Sequence, residues 1–229
     1  LIERGLMGGD CLNVGCVPSK VLLAAAAERH QRGGGPEFGE VMARVRAERD
    51  RFVGFVTETV DAWPAERIIR QRARFIAPMT LGLDDGSQIR AGRIVIATGS
   101  RPRIPAGWRA LLGDRLLTND DVFEWRDLPS SVAVVGGGVI GLELGQALSR
   151  LGVRVRLFQR SQRLGGLTDP AIAQAAASVL SAEFPISLDT VIDAVSATEY
   201  GVRVRYHNAS GEQQEDFEYL LCAIGRVPN

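Results

Sequence analysis

The stretch Val132-Ala133-Val134-Val135-Gly136-Gly137-Gly138-Val139-Ile140-Gly141 constrains the fold more than any other. Four apolar residues suited to a buried strand run into three glycines. An apolar-periodic helix to about Leu151 follows, then a second strand at Val153–Phe158 and a helix at Ala171–Glu183. A strand, a tight turn, a helix and a further strand in that order read as a βαβ unit, part of a sheet covered by helices. The spacing G-x-G-x-x-G lets the backbone at Gly136 and Gly138 approach a pyrophosphate at the helix N-terminus, with Val139, Ile140 and Gly141 in the first turn. Residues 129–229 therefore read as a dinucleotide-binding unit, against the alternative of a glycine turn that is only structural. Short alternating segments from Ile186 to Tyr206 and a strand from Tyr219 to Ile224 complete it, with Val191 placed at the same cofactor.

The first 128 residues carry a different pattern. Leu6 to Gly15 is glycine-rich and reads as irregular. Pro18 and Ser19 then lead into an Ala/Leu-rich helix to about His30, ended by Gly33-Gly34-Gly35-Pro36. Val41, Val45, Phe52, Val56 and Val60 recur near helical spacing and predict a long amphipathic helix from Glu37 to Pro64. Alternation in Ile69–Ile76, then Leu81 and Leu83 before Asp84-Asp85-Gly86, then Ile94–Ala97, predicts strands joined by a hairpin. Arg101 to Pro129, broken by prolines, reads as an irregular connection between two units.

Charge removes some partners from consideration. Twenty-seven basic groups cancel 27 acidic ones, so no electrostatic footprint for nucleic acid or an anionic membrane is expected. No run approaches the ~18 uninterrupted apolar residues of a membrane span, and no signal peptide is visible, which together predict a cytoplasmic protein. All of the basic residues but one are arginine. The exception, Lys20, lies just past two cysteines, which points to a site needing a compact ammonium where a planar guanidinium does not fit, against the alternative of chance.

Cys11-Leu12-Asn13-Val14-Gly15-Cys16 sets those thiols five residues apart. On a regular helix their Cα atoms would be about 8.7 Å apart, beyond the ~7 Å that a disulfide spans, so a bond needs an irregular turn. Asn13 and Gly15 tolerate such a turn, and Cys16 falls where helix amides favour a thiolate. Redox exchange is one reading. A zinc pair is another, but only Cys222, His30 and His207 remain as further ligands and none has metal-like spacing, so no metal is expected. Two buried free thiols are the third.

The run Gly8-Gly9-Asp10-Cys11-Leu12-Asn13-Val14-Gly15-Cys16-Val17-Pro18-Ser19-Lys20 closely resembles the redox signature of the pyridine nucleotide-disulfide oxidoreductases, among them dihydrolipoamide dehydrogenase, mercuric reductase and glutathione reductase. The resemblance implies bound FAD and NAD or NADP. It makes Cys16 the thiol beside the flavin, able to form a charge-transfer thiolate, and Cys11 the thiol that meets substrate. It places Lys20 near flavin N5, paired with Glu143. Ile96-Ala97-Thr98-Gly99 resembles the family's crossing toward the nicotinamide domain, and Ala223-Ile224-Gly225-Arg226 the return crossing. Glu3 matches the acidic residue at the FAD ribose, Ala73 a backbone contact to the adenine, and Gly8 and Gly9 stand with them as cofactor positions.

The fold expected from the resemblance is α/β, with two Rossmann-like three-layer domains: residues 1–128 an incomplete FAD domain with a helical insertion, residues 129–229 a nucleotide domain. The family's first G-x-G-x-x-G would precede Leu1. Its second FAD motif and its dimerisation domain with a His-Glu pair would follow Asn229, so the chain reads as part of a longer, homodimeric enzyme that would not turn over alone. At the end of the second strand Gln159 and Arg160, with Arg163 nearby, stand where NAD domains carry an acid; basic residues favour a 2′-phosphate, while Gly141 in place of Ala argues the other way, and the balance leans to NADP. Leu12 and Ser19 match dihydrolipoamide dehydrogenase best, implying a lipoyl-type or small-molecule disulfide/dithiol substrate. A mercuric or glutathione-type reductase is the alternative. A nucleotide-binding piece with vestigial cysteines is a third.

Overall fold

The computed structural model describes residues 1–34 and 37–229. The chain begins with two helices, α1 (Gly9–Asn13) and α2 (Cys16–Arg32), and a long helix α3 (Phe38–Asp61). A meander follows, of β1 (Ala73–Ala77), β2 (Thr80–Leu83) and β3 (Gln88–Arg90). Next come β4 (Ser100–Pro102), α4 (Trp108–Leu112), β5 (Leu116–Leu117) and α5 (Asn119–Val122). The remainder is β6 (Ser131–Val135), α6 (Val139–Arg150), β7 (Arg154–Phe158), α7 (Pro170–Ser181), β8 (Ile186–Ser187), β9 (Val191–Ala197), β10 (Val202–Asn208), β11 (Gly211–Phe217), β12 (Tyr219–Cys222) and β13 (Arg226–Pro228).

A five-stranded sheet, in the order β5-β12-β6-β7-β8 and parallel throughout, is the frame for the rest. Its β6 strand is buried at every position, as an apolar run covered on both faces must be. One face, through Val132, Val134, Val155, Leu157 and Leu221, packs on α6 and on α2 and α3 behind it, with Leu22, Met42, Leu144 and Leu148 at the centre. The other, through Ala133, Val135, Phe158, Leu220 and Cys222, packs on the antiparallel sheet β11-β10-β9. The layers are therefore helix, parallel sheet, antiparallel sheet. Truncating Leu144 or Leu148 to Ala would open a void here at a cost of about 2–5 kcal/mol.

Local chemistry explains several helix ends. Glu37 caps α3 and its amide is capped in turn by Glu40; Asp169 accepts from the amides of Ala171 and Ile172 with Pro170 at the first turn of α7. Gly33, at φ 65°, closes α2 while its amide and that of Gly34 return to the carbonyls of His30 and Arg29. The remaining half of that predicted stop, Gly35 and Pro36, lies outside the described residues. The segment Gly9–Arg32 has the length and mean hydropathy, 1.2, of a membrane span. In this fold it is instead a pair of helices whose Leu22, Ala25 and Ala26 are core residues.

Several expectations need correcting. The stretch Leu6–Gly15 is not wholly irregular, because Gly9–Asn13 forms α1. Arg101–Pro129 is not merely a connection: it holds β4, α4, β5 and α5, and β5 pairs with β12 although it precedes the expected boundary at 128/129. Ile94–Ala97 forms no strand; Val95 and Ile96 are 89% and 69% exposed, since no neighbouring backbone among the described residues pairs with them. The strand β11 was invisible in sequence because its Glu-Gln-Gln-Glu-Asp run is polar on both faces, and it is held by its pairing with β10.

Candidate functional site

The glycine turn between β6 and α6 opens onto a cleft of about 850 Å³. Of the residues expected at a nucleotide, Gly136, Gly138, Val139, Ile140, Gln159, Arg160, Val191, Ala223, Ile224 and Gly225 line it. Arg103, Ser161 and Thr190 line it too, and nothing in the local sequence announced them. Each glycine is required for a different reason. Gly136 has φ 109°, and a Cβ there would lie 2.4 Å from the Ala223 carbonyl oxygen. Gly141 is buried below the turn, where a Cβ would meet the Gly136 carbonyl oxygen at 1.9 Å. At Gly138 a Cβ meets nothing within 4 Å, so the space it would fill is the cleft itself.

Gln159 does not present a free carboxamide to that cleft. Its Oε1 accepts from the Gly137 amide at 2.9 Å, and its Nε2 donates to Ser161 Oγ at 3.0 Å and to the Arg163 carbonyl at 2.8 Å. One end of the side chain braces the glycine turn and the other braces the loop after β7. Arg160 is exposed at the cleft wall.

The thiols sit where one helix is interrupted and the next begins. α1 ends at Asn13, Val14 leaves the helical path at φ −138°, and Gly15 caps α2 at Cys16. A side chain at Gly15 would strike the Asp10 carbonyl oxygen at 2.9 Å and Cys11 Cα at 3.2 Å, so only glycine lets the two segments approach. Asn13 Nδ2 donates to the carbonyls of Met7 and Gly9 at 2.9 and 3.0 Å, so it ties the loop through its side chain as well as tolerating the turn. Cys11 and Cys16 are exposed free thiols. The Cys11 proton is held above its ordinary range, first by a hydrogen bond with Cys16 and then by desolvation. The sulfurs are thus mutual neighbours.

Lys20 follows Cys16 by one helical turn on α2 and shares its face. Its Nζ lies 2.5 Å from Glu143 Oε1 on α6, across 123 residues of sequence. Glu143 belongs to the same helix whose first turn borders the glycine-lined cleft. The ion pair therefore ties the helix that starts at Cys16 to the helix whose first turn borders the cleft. Lys20 keeps 61% of its side chain exposed, so the pair is open to a ligand and contributes little to stability, up to ~1 kcal/mol.

Both suspected crossings meet. β4 and β13 pair antiparallel, Ser100 with Pro228 and Pro102 with Arg226. Asn229 also joins Ala97–Gly99, through Nδ2 to the Thr98 carbonyl at 3.0 Å and its amide to the Gly99 carbonyl at 3.3 Å. Arg226 turns its guanidinium away from the cleft: it donates to Ser100 O, Ser100 Oγ, Asn119 Oδ1, Asp120 Oδ1 and Asp10 Oδ2. Gly8 and Gly9 take left-handed φ values of 102° and 65° ahead of the thiols. Glu3 lies beside the Ile2–Ile69 bridge, its carboxylate accepting from the Gly5 amide at 2.7 Å, and Ala73 pairs with Leu83 in the first meander. His207 is hydrogen-bonded to Asp193 on the outer sheet, far in chain and element from the thiols.

A family model described as pyridine nucleotide-disulphide oxidoreductase matches residues 1–229. The chain is 30% identical to a dihydrolipoyl dehydrogenase of Cupriavidus necator, over 97% of the chain and 50% of that protein. It is 35% identical to a mercuric reductase of Streptomyces lividans, over 99% of the chain and 51% of that protein. The chain thus spans about half the length of the curated relatives it matches. In fold it is similar to a Cu(II) complex of the HOCl-induced flavoprotein disulfide reductase RclA from Escherichia coli, with a TM-score of 0.84 and 24% identity over the whole chain and 51% of that structure.

Proposed function

Since the chain belongs to the pyridine nucleotide-disulfide oxidoreductase family, we propose that it forms part of a dihydrolipoyl dehydrogenase-type enzyme, in which Cys11 and Cys16 exchange electrons with a lipoyl-type or small-molecule disulfide/dithiol substrate. The observation that carries the reading is the alignment of exposed neighbouring thiols, the Lys20–Glu143 pair and the glycine-lined cleft along α2 and α6. The cleft fits NAD or NADP, because Gly136 and Gly138 leave bare backbone where a pyrophosphate meets a helix N-terminus. Toward FAD the chain offers the thiol face, the Lys20 ammonium and Gly9, around which a Cβ would meet nothing within 4 Å. When bound, the two cofactors supply two-electron transfer between nicotinamide and the thiol pair.

The chain's own residues do the rest. Lys20, held by Glu143, keeps a fixed positive charge one turn from Cys16. Cys11, exposed and protonated to higher pH than a free thiol, is the sulfur reached from outside, and Cys16 is the one next to the ammonium. With Gln159 occupied in bracing the turn, the exposed Arg160 is the residue of that pair free to meet the adenosine ribose, which supports a preference for NADP. We take the working protein to be a cytoplasmic homodimer. A mercuric-type reductase is the second reading, because relatives of both names match the chain at similar identity.

The test is thiol counting in the full-length protein. Addition of NADH or NADPH to the oxidised protein should release two thiols and produce a long-wavelength absorbance band, and Cys16→Ser should abolish the band while flavin is retained. If the unsubstituted protein releases no thiols with either nucleotide, the cysteines are vestigial and the enzyme reading is wrong. Lipoamide, glutathione disulfide and mercuric ion as acceptors separate the substrate classes.

A further inference from the structure

The turn that carries the thiols is fastened at both ends by side chains from remote parts of the chain. At its start the Asp10 carboxylate accepts from the Ser100 amide at 3.2 Å, from Ser100 Oγ at 3.3 Å and from an Arg226 nitrogen at 3.1 Å. At its end the Val14 carbonyl accepts from Asn119 Nδ2 at 3.1 Å. The two anchors converge on one guanidinium, because another nitrogen of Arg226 donates to Asn119 Oδ1 at 3.1 Å. Asn119 is only 7% exposed, and its partners in this ring lie more than 100 residues away in sequence. Between the anchors the path is tight: the Val14 amide donates to the Asp10 carbonyl at 3.0 Å, and that carbonyl is the atom a side chain at Gly15 would strike.

Resting on the reading of Cys11 and Cys16 as an exchanging pair, we propose that Asp10 and Asn119, joined through Arg226, are positioning residues that hold the two sulfurs at the separation from which a disulfide closes. The closure balances as two thiols plus one glutathione disulfide giving the Cys11–Cys16 disulfide plus two glutathione thiols; two S–H bonds and one S–S bond break, and glutathione takes up both electrons and both protons. A turn fixed in advance loses little freedom on closing, so the effective concentration of one thiol at the other is high. A turn released at either end must be ordered during the reaction. The equilibrium then moves toward the dithiol.

The experiment is redox equilibration of the full-length protein against glutathione mixtures, with free thiols counted after acid quench. Asp10→Asn, which removes the charge, and Asn119→Asp, which keeps the acceptor for Arg226 but loses the donor to Val14, should each lower the equilibrium constant for disulfide formation about tenfold, a rise of ~30 mV in potential for this two-electron couple. Both substitutions are nearly isosteric, so folding is checked by an unchanged affinity for NADPH. A merely structural role for the ring predicts that Asn119→Asp shifts melting temperature and leaves the thiol equilibrium within twofold of the parent; that result overturns the proposal. If the unsubstituted protein forms no internal disulfide at any glutathione ratio, the exchanging-pair reading fails instead, and the two failures are told apart.

Discussion

Two glycines of one motif should fail in different ways. Gly136 combines φ 109° with a Cβ position 2.4 Å from the Ala223 carbonyl oxygen and 2.8 Å from its carbon. That carbonyl cannot easily retreat, because the Ala223 amide is held by Val135 at 2.8 Å. Gly136→Ala therefore adds overpacking of about 1–3 kcal/mol to backbone strain of about 1–2 kcal/mol. For a chain of this size the melting temperature should fall by about 5–15 °C. Gly138 has φ −75° and nothing within 4 Å of an added Cβ. Gly138→Ala should leave the melting temperature within about 1 °C but place a methyl group where the pyrophosphate approaches, weakening NAD(P)H binding about tenfold or more, the equivalent of ~1.4 kcal/mol. Differential scanning calorimetry and fluorescence titration read the two effects separately. Equal losses of stability in both variants would refute the geometry assigned to the turn.

Glu143→Gln should change unfolding free energy by less than ~1 kcal/mol, since its partner Lys20 is largely exposed, while slowing nucleotide-driven release of the two thiols at least tenfold in stopped flow; an unchanged rate would remove the pair from the machinery. Cys11 should alkylate with iodoacetamide only at pH above the range of a free thiol, and its pH profile should move down in Cys16→Ser, because the hydrogen bond with Cys16 is the largest cause of the rise. Burial pushes the Cys222 thiol up to about 11. The folded state therefore holds that proton more tightly than the unfolded chain. The resulting stability is complete below pH about 9 and is lost, by roughly 2–3 kcal/mol, as pH rises toward 11. In Cys222→Ala that part of the melting curve between pH 9 and 11 should flatten.

The parts of the fold legible in sequence are those where periodicity and glycine spacing express one strong constraint. The unit β6-α6-β7 could be placed within a residue or two because β6 is buried on both faces and the turn admits little but glycine. The helix pair α2 and α3 was readable for a similar reason, with Val41 and Val45 of the predicted stripe in the core, although Phe52 of the same stripe is exposed. What escaped either carries no apolar pattern of its own or carries one and finds no partner. β11 has no apolar alternation of its own, and Ile94–Ala97 has strand composition but no neighbour to pair with among the described residues. At the site, the motif pointed to Cys11, Cys16 and Lys20, and the resemblance to Glu143. Asp10, Ser100 and Asn119 gave no signal, since a lone Asp, Ser or Asn in a loop reads as ordinary turn chemistry. Only the fold shows that Arg226 gathers them.

The buried contacts of α2 and α3 with α6, and the place of β5 at the edge of the parallel sheet, bear on how far this molecule is modular. A polypeptide started at residue 129 would lose that edge strand and uncover Leu144, Leu148 and their neighbours, leaving an adhesive flank where the parent has an interior. The nucleotide-fold unit is therefore not a free-standing cassette: α2, which starts at Cys16, also covers α6, so the thiol turn and the parallel sheet share one fate in folding.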